Sequence, residues 1–429
     1  MPTSTARSTE FLLERFSRKQ IKSIANANRR INLWEGAVSS GKTIASLWAW
    51  LMFIPTASTT GELVMIGKTR DSLFRNALRP LMDPEIFGEM ASQVEYTPGA
   101  PTARIFGRLI HVIGANDIKA ENKIRGLSCA GAYADELTLL PEVFWEMLRT
   151  RMRVKGARIY ATTNPDSPAH WLKANYIDEP VQRAAMKVFS FKLDDNTHLP
   201  AEYVEDIKAR NAGLFYQRFV LGQWVVAEGA IYSMFDEARH VVDIVPDIQT
   251  WVALGIDYGT RNPLHAVLLG QGVDGRLYVT SEWRHDGRKS GQLADIDYSE
   301  RLRGWMDTLT PPGAATLGVH PRYVVVDPSA ASFIQQLHRD RLTPVPADNS
   351  VLDGIRMVSS LLASGKLLIH RSCTELIKEI QGYVWDPKAA LLGEDKPLKS
   401  NGNDHGLDAL RYAVVTTESL WRRTIEEVA

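Results

Sequence analysis

Eight residues, Gly36-Ala37-Val38-Ser39-Ser40-Gly41-Lys42-Thr43, carry the spacing G-x-x-x-x-G-K-[ST]. In that pattern, backbone N–H groups around Gly36, Ser39, Ser40 and Gly41 curl about phosphate oxygens, and the dipole of the next helix adds positive potential. Lys42 is placed to reach the β- and γ-phosphates, and the Thr43 hydroxyl to ligate Mg²⁺. The pattern requires a strand before it and a helix after it. The apolar run I-N-L-W (31–34) and the stretch T-I-A-S-L-W-A-W-L supply both. The chemistry expected here is ATP binding.

Hydrolysis needs carboxylates as well. Asp135-Glu136 comes after the buried-strand run C-A-G-A-Y-A (129–134), which predicts Asp135 as the outer Mg²⁺ ligand and Glu136 as the base that polarises water. Thr163 and Asn164, in A-T-T-N-P, end another apolar run, where they either report the γ-phosphate or simply cap a turn. Gln20, upstream of the loop, either reads the adenine edge or is an exposed helical glutamine. Arg125 precedes the strand that ends at Asp135 by about eight extended residues, roughly 26 Å. It is therefore expected away from its own phosphates, either as an arginine finger for a neighbouring subunit or as a surface arginine beside Gly126.

A second set of acids lies far downstream. Asp257 ends the apolar run in G-I-D-Y-G-T, Asp327 ends V-V-V-D-P-S, and Asp404, His405 and Asp408 occupy the helical pattern N-D-H-G-L-D-A-L-R-Y-A. His405 and Asp408, three apart, share a helix face. Acids on two strand ends and a helix suit a two-metal phosphodiesterase, with oxygen ligands that favour Mg²⁺ or Mn²⁺. Whether Asp404, His405 or both complete that shell with Asp408 stays open.

The elements that must position these residues fall into two groups. Short apolar runs at 31–34, 63–66, 109–113, 129–134 and 159–162 alternate with helical patterns, the signature of a buried parallel sheet with crossover helices. Motifs directly after the runs put one active edge at the strands' carboxyl ends. Residues 1–30 read as a basic helix with Phe11, Leu12 and Phe16 on one face and Arg15, Arg18, Lys19 and Lys22 on another; 166–230 reads as mainly helical. A second strand-rich pattern runs through 252–259, 266–270, 276–283 and 323–329, then a closing helix near 404–420. The expected division is an ATPase domain over 1–230, a linker over 231–250 and a second domain over 251–429.

A chain of 429 residues with 45% hydrophobic and 23% charged content fits two ordinary globular domains. Lys plus Arg and Asp plus Glu both number 50, so nucleic-acid contact must come from local clusters. Two such clusters occur: Arg149, Arg151, Arg153, Lys155 and Arg158, expected at the exit of the ATP site, and Arg284, His285, Arg288 and Lys289. Each is either a DNA-phosphate contact or a solvated face. Two distant cysteines, Cys129 and Cys373, argue against a disulfide framework and fit a reducing compartment. The longest apolar stretch, residues 47–54, is too short to span a bilayer, and the first residues lack a signal-peptide pattern, so no membrane partner is expected.

Taken in order, W-E-G-A-V-S-S-G-K-T, G-A-Y-A-D-E, A-T-T-N-P, G-I-D-Y-G, V-V-V-D-P-S and N-D-H-G-L-D-A-L-R-Y-A make the chain resemble the large terminase subunit of tailed bacteriophages over nearly its whole length. The resemblance implies an α/β protein: a P-loop ATPase domain of the RecA/ASCE-like kind with a parallel sheet, then an RNase H-like nuclease domain. It implies ATP-driven translocation of double-stranded DNA into a procapsid and metal-dependent cutting of concatemers, in the host cytoplasm. The implied partners are the portal protein, the small terminase subunit and further copies of the chain in a ring on the portal. Lys42, Thr43, Asp135 and Glu136 would carry hydrolysis, Thr163 and Asn164 its coupling to motion, and Asp257, Asp327 and Asp408 the nuclease metals. Arg125 falls at the position of the trans-acting finger, while Ser39 and Ser40 stand where some relatives carry a loop arginine. A helicase would need a second RecA-like domain with its own arginine motifs, which is absent after residue 230. A DNA-binding scaffold would be expected to lack carboxylates, and both acidic sets are intact.

Overall fold

A strand buried on both faces carries mostly apolar side chains, and four such strands form the centre of the first sheet. The computed structural model describes residues 16–116, 118–259, 262–399 and 404–427; Phe11, Leu12 and Arg15 of the expected first helix lie outside them. Two compact units emerge. The first comprises the chain up to Ile207 with Leu214–Val226 and Leu391–Glu394, and the second comprises Lys208–Gly213, Ala227–Ala390 and the residues from Asp395 onward.

The first unit is built on β1 (Ile31–Gly36), β2 (Glu62–Gly67), β3 (Val94–Glu95), β4 (Thr102–Ile105), β5 (Arg108–Gly114), β6 (Cys129–Ala134), β7 (Arg158–Thr163) and β8 (Met186–Phe191). Their order across the sheet is β3-β4-β5-β2-β6-β7-β1-β8. All neighbours from β5 to β8 run parallel, while β3 and β4 add an antiparallel edge. Alternation along each strand sends Trp34, Met65, Tyr133 and Tyr160 into one core and Leu33, Val64, Ala132 and Ile159 into the other. Helix α1 (Arg18–Ala25) precedes β1, α2 (Lys42–Phe53) comes after it, and α3 (Glu142–Arg151) connects β6 to β7.

Two expectations need correction in this unit. The stretch 166–230, expected mainly helical, contains β8, which pairs with β1 along its full length. Its run M-K-V-F-S-F is only partly buried and mixes polar with apolar residues, so no continuous apolar signal marks it. The basic cluster 149–158 does not lie at the exit of the ATP site. It sits between the end of α3 and the start of β7, at the sheet's opposite, amino edge.

The second unit holds β9 (Val241–Val242), β10 (Ile248–Asp257), β11 (Leu264–Gly272), β12 (Leu277–His285), β13 (Tyr323–Val326), β14 (Pro344–Pro346) and β15 (Leu367–His370), ordered β14-β13-β10-β11-β12-β15-β9. Strands β10, β11 and β12 form an antiparallel meander, and the flanking strands join it in parallel. Helix α4 (Thr374–Gly382) and helix α5 (His405–Thr416) complete the part that positions the acids. Residues 231–250, expected as a linker, are folded into this unit. Ile231 and Tyr232 are buried, and β9 pairs with β15. Two paired residues are too few to leave a strand pattern.

Helix α5 lies directly on β10 because Gly255 has no side chain: a Cβ there would meet the Ala409 carbonyl oxygen at 2.1 Å. No helix among the described residues is long and apolar enough to cross a membrane.

Candidate active sites

In the first unit, β1 ends at Gly36, and the chain turns through residues 37–41 before α2 begins at Lys42. Gly41 holds φ at +78°, and a Cβ there would meet Gln20 Nε2 at 2.2 Å, so only glycine fits the final bend. Ser39 also has a positive φ, 53°. Ser40 is buried and its Oγ donates to the Ala37 carbonyl at 2.8 Å, which closes the loop on itself. The Asn196 amide donates to the Ser39 carbonyl at 2.9 Å from outside.

Strand order determines which residues face this loop. Strand β7 lies between β1 and β6, so its carboxyl end sits between the phosphate loop and the Asp135-Glu136 pair. Lys42 Nζ donates to Ala37 O at 2.9 Å and to Asn164 Oδ1 at 2.7 Å, joining the loop to the end of β7. Thr162 Oγ1 donates to Asp135 Oδ1 at 2.8 Å and accepts the Glu136 N–H at 3.1 Å, joining β7 to the acids. Thr163 Oγ1 donates to Thr138 Oγ1 at 2.9 Å and accepts from the Thr138 N–H at 3.2 Å, so it braces the turn after the acids. Lys42, Thr43, Asp135, Glu136, Thr163 and Asn164 all line one cleft of about 280 Å³.

Electrostatics match a partly dry site. Burial lowers the Lys42 ammonium to about 8, against the pull of Asp135 and Glu136. Burial raises the Asp135 carboxyl, opposed by hydrogen bonds from Asn76 and Thr162 and by the Lys42 charge. Glu136 is raised by burial and then by Asp135. Its backbone sits in the left-handed region at φ 50°, ψ 58°, a strained geometry for a non-glycine residue and one that recurs at catalytic positions. The side-chain donors to Asp135 are neutral, the Thr162 hydroxyl and the Asn76 amide at 3.0 Å. A buried carboxylate with neutral partners beside a threonine hydroxyl is a donor set suited to Mg²⁺.

Asn76 was not anticipated from sequence. It lies on a π-helical turn, Phe74–Leu78, and no spacing rule marks such a turn. Gln20 is not the exposed helical glutamine that is the alternative to an adenine contact. It is buried, with Oε1 accepting the Ser17 N–H at 2.8 Å and Nε2 donating to the Gly41 carbonyl at 3.2 Å. Its amide ties α1 to the loop, and Gln20 does not line the cleft. Arg125 is exposed in the turn before β6, at the edge opposite the cleft, and does not line it either.

In the second unit, Ile256 pairs with Val326, so Asp257 and Asp327 leave adjacent parallel strands side by side. Helix α5 supplies the third acid. Asp404 occupies the position before the helix, where its carbonyl accepts the Asp408 N–H at 2.8 Å, and Asp408 lies in the first turn. His405 Nδ1 sits 2.5 Å from Asp257 Oδ2, Tyr412 OH donates to Asp327 Oδ2 at 2.9 Å, and Arg411 pairs with Asp408. Burial pushes Asp257 up to about 6, with Asp408 and Asp327 adding to it and His405 opposing. Asp408 is likewise raised by burial, against Arg411. As the side chains stand, no three acids or histidines among the described residues converge as a ligand set. Each carboxylate instead faces its own protein partner. The donors themselves, carboxylates near enough for Asp257 to feel both Asp408 and Asp327, suit a hard divalent cation. Between the open alternatives, His405 has Nδ1 committed to Asp257 and a buried Nε2 with no hydrogen-bond partner.

A buried ion network beneath this helix was also missed. His265, opposite Asp257 across the β10–β11 ladder, places Nε2 2.9 Å from Glu282 Oε2 and Nδ1 3.5 Å from Glu379 Oε1, the latter outside hydrogen-bond geometry. Glu379 Oε2 accepts the Gly406 and Leu407 N–H groups at 2.6 and 3.2 Å, capping α5. Glu282 does the same for α4, accepting the Glu375 and Leu376 N–H groups at 2.8 and 3.0 Å. Burial works against charge on His265, but both glutamates outweigh it and lift the imidazole to about 9. Three isolated residues from different elements leave no motif.

A phosphate loop and acidic pair on one parallel sheet, with clustered aspartates on a second, RNase H-like sheet, define a P-loop protein joined to an RNase H-like domain. Family models agree with this. Residues 33–239 match the terminase large subunit, T4likevirus-type, N-terminal model, and residues 254–416 match the terminase RNaseH-like domain. Solved structures of the large terminase from a thermophilic bacteriophage are similar over most of the chain. Its complex with ADP has TM-score 0.81 and 34% identity, covering 94% of this chain and 100% of that one. Its complex with ATP-gamma-S has TM-score 0.79 and 34% identity, covering 92% and 98%. The terminase large subunit of Escherichia phage T5 is 27% identical over 231 residues, which is 51% of this chain and 49% of the T5 protein. The chain thus spans about half the length of that relative. It belongs to the bacteriophage large terminase subunit family.

Proposed function

We propose that the chain hydrolyses ATP to drive double-stranded viral DNA into a procapsid and cuts concatemeric DNA at its RNase H-like site. The observation that carries this reading is the cleft in which Lys42, Asn164, Asp135 and Glu136 meet across three adjacent strands, in a chain that also gathers Asp257, Asp327 and Asp408. Lys42 and the loop N–H groups hold the β- and γ-phosphates. Glu136, made more basic by burial and by Asp135, accepts a proton from the attacking water. Thr43 and Asp135 would hold Mg²⁺, which when bound offsets phosphate charge. Asn164, bonded to Lys42, and Thr163, bonded to the turn after the acids, carry the state of the phosphate to β7.

At the second site, Asp257, Asp327 and Asp408 would hold Mg²⁺ or Mn²⁺, which supplies activated water and stabilises the leaving oxygen. Asp404 and His405 support that set, His405 by orienting Asp257. Arg125 serves the cleft of a neighbouring subunit in a ring docked on the portal, with the small terminase subunit as a further partner. Packaging and cutting take place in the host cytoplasm.

The test uses two full-length variants. Glu136→Gln should lower ATP turnover by roughly 10²-fold or more with nucleotide binding and metal-dependent plasmid cleavage retained. Asp257→Asn should do the reverse. Normal turnover in the first, or undiminished cleavage in the second, removes the corresponding assignment.

A further inference from the structure

A second concavity, about 700 Å³, opens on the amino edge of the first sheet, away from the nucleotide cleft. Arg30, Arg149, Arg153, Lys155 and Arg158 line it, and no acidic residue does. They come from three places: the residue before β1, the last turn of α3, and the turn into β7. Five cations crowded into a lining without a carboxylate repel one another, so the fold must hold them in place.

It does so through neutral partners. Arg30 donates to the Met152 carbonyl at 3.0 Å, and Arg153 donates to Leu127 O and Ser128 Oγ at 3.3 and 3.1 Å. Arg149 donates to Gln182 Oε1 at 2.5 Å with its guanidinium 4.9 Å from the Tyr176 ring centre, and Arg158 sits 5.6 Å from that of Phe53. Each of these contacts orients a guanidinium without neutralising its charge. A guanidinium carries five N–H donors in a planar fork that matches phosphate oxygens.

We propose that this bay binds consecutive phosphates of a double-stranded polynucleotide backbone. Several cations spread over an open concavity fit a repeating row of charges, which a single carboxylate or free phosphate would leave mostly unmatched. This rests on the reading that the chain handles double-stranded DNA, and it places one contact on the first unit. None of the five residues belongs to the nucleotide cleft.

The test is equilibrium binding of a labelled random-sequence duplex to the full-length chain across a salt series. Arg30→Glu with Lys155→Glu should weaken binding at least tenfold and flatten the slope of log K against log[salt] by about 1.8, at 0.9 per lost phosphate contact. Melting temperature and ATP affinity should stay at wild-type values. The charge-preserving pair Arg30→Lys with Lys155→Arg should restore affinity and slope. Wild-type slope and affinity in the double glutamate variant overturn the bay while leaving the DNA-handling reading intact. Failure of the wild-type chain to bind duplex at low salt overturns both. Unchanged DNA binding with lost self-association makes the bay a contact between copies of the chain and also overturns the proposal.

Discussion

Lys42 is held from two sides, by its own loop at Ala37 and by Asn164 on a different strand. The second contact is the one that a bound γ-phosphate would compete for, since a buried ammonium has three donors to distribute. Asn164→Ala is therefore expected to lower turnover by roughly 10- to 100-fold while changing nucleotide affinity only slightly. Single-turnover phosphate release and nucleotide titration separate the two effects. Equal losses in both would mean that Asn164 only props the loop.

At the scale of elements, the second site depends on how closely α5 approaches β10. Gly255→Ala places a methyl group against the Ala409 carbonyl, an overpacking that costs about 1–3 kcal/mol and shifts His405 and Asp408 relative to Asp257. Plasmid cleavage should be lost while ATP turnover remains at wild type, and parallel assays on one preparation check this. The network under α5 adds a pH signature. The folded-state pKa of His265, about 9, lies above its ordinary 6.5, so its contribution is complete below pH 6.5 and disappears as pH rises through 9. Unfolding free energy from urea titrations should fall across that window, by about 3 kcal/mol at most, and His265→Gln should flatten the decline.

For the whole molecule, Arg125 and the cleft occupy opposite edges of one sheet, so completion of the cleft by that arginine requires a second copy. Mixing Arg125→Ala with Lys42→Ala chains under assembly conditions should recover part of the ATP turnover that neither shows alone, because an intact cleft then meets an intact arginine. Turnover that stays at the sum of the two separate preparations would place the arginine's role within its own chain. Much of this architecture was legible in sequence. Strands β1, β2, β6 and β7 announce themselves as largely apolar runs because both their faces are buried, and the phosphate loop and its acids come directly after those runs. The features that stayed hidden depend on tertiary neighbours. Strand β8 is half-exposed, β9 and β14 have two and three residues, and Glu282, His265 and Glu379 meet only once the sheet and its helices are assembled. Gln20 was legible as a candidate, yet its bond to the Gly41 carbonyl forms only where α1 docks against the loop.

The π-helical turn that presents Asn76 to Asp135 bears on which lengths of chain evolution can accept. Such a turn accommodates one residue more than a regular helix. Removing any single residue from 74–78 would yield a more regular helix with better backbone bonding. It would also rotate the residues before the deletion by about 100° relative to those after it. The amide would swing away from the acid, so this helix should tolerate no change in its residue count.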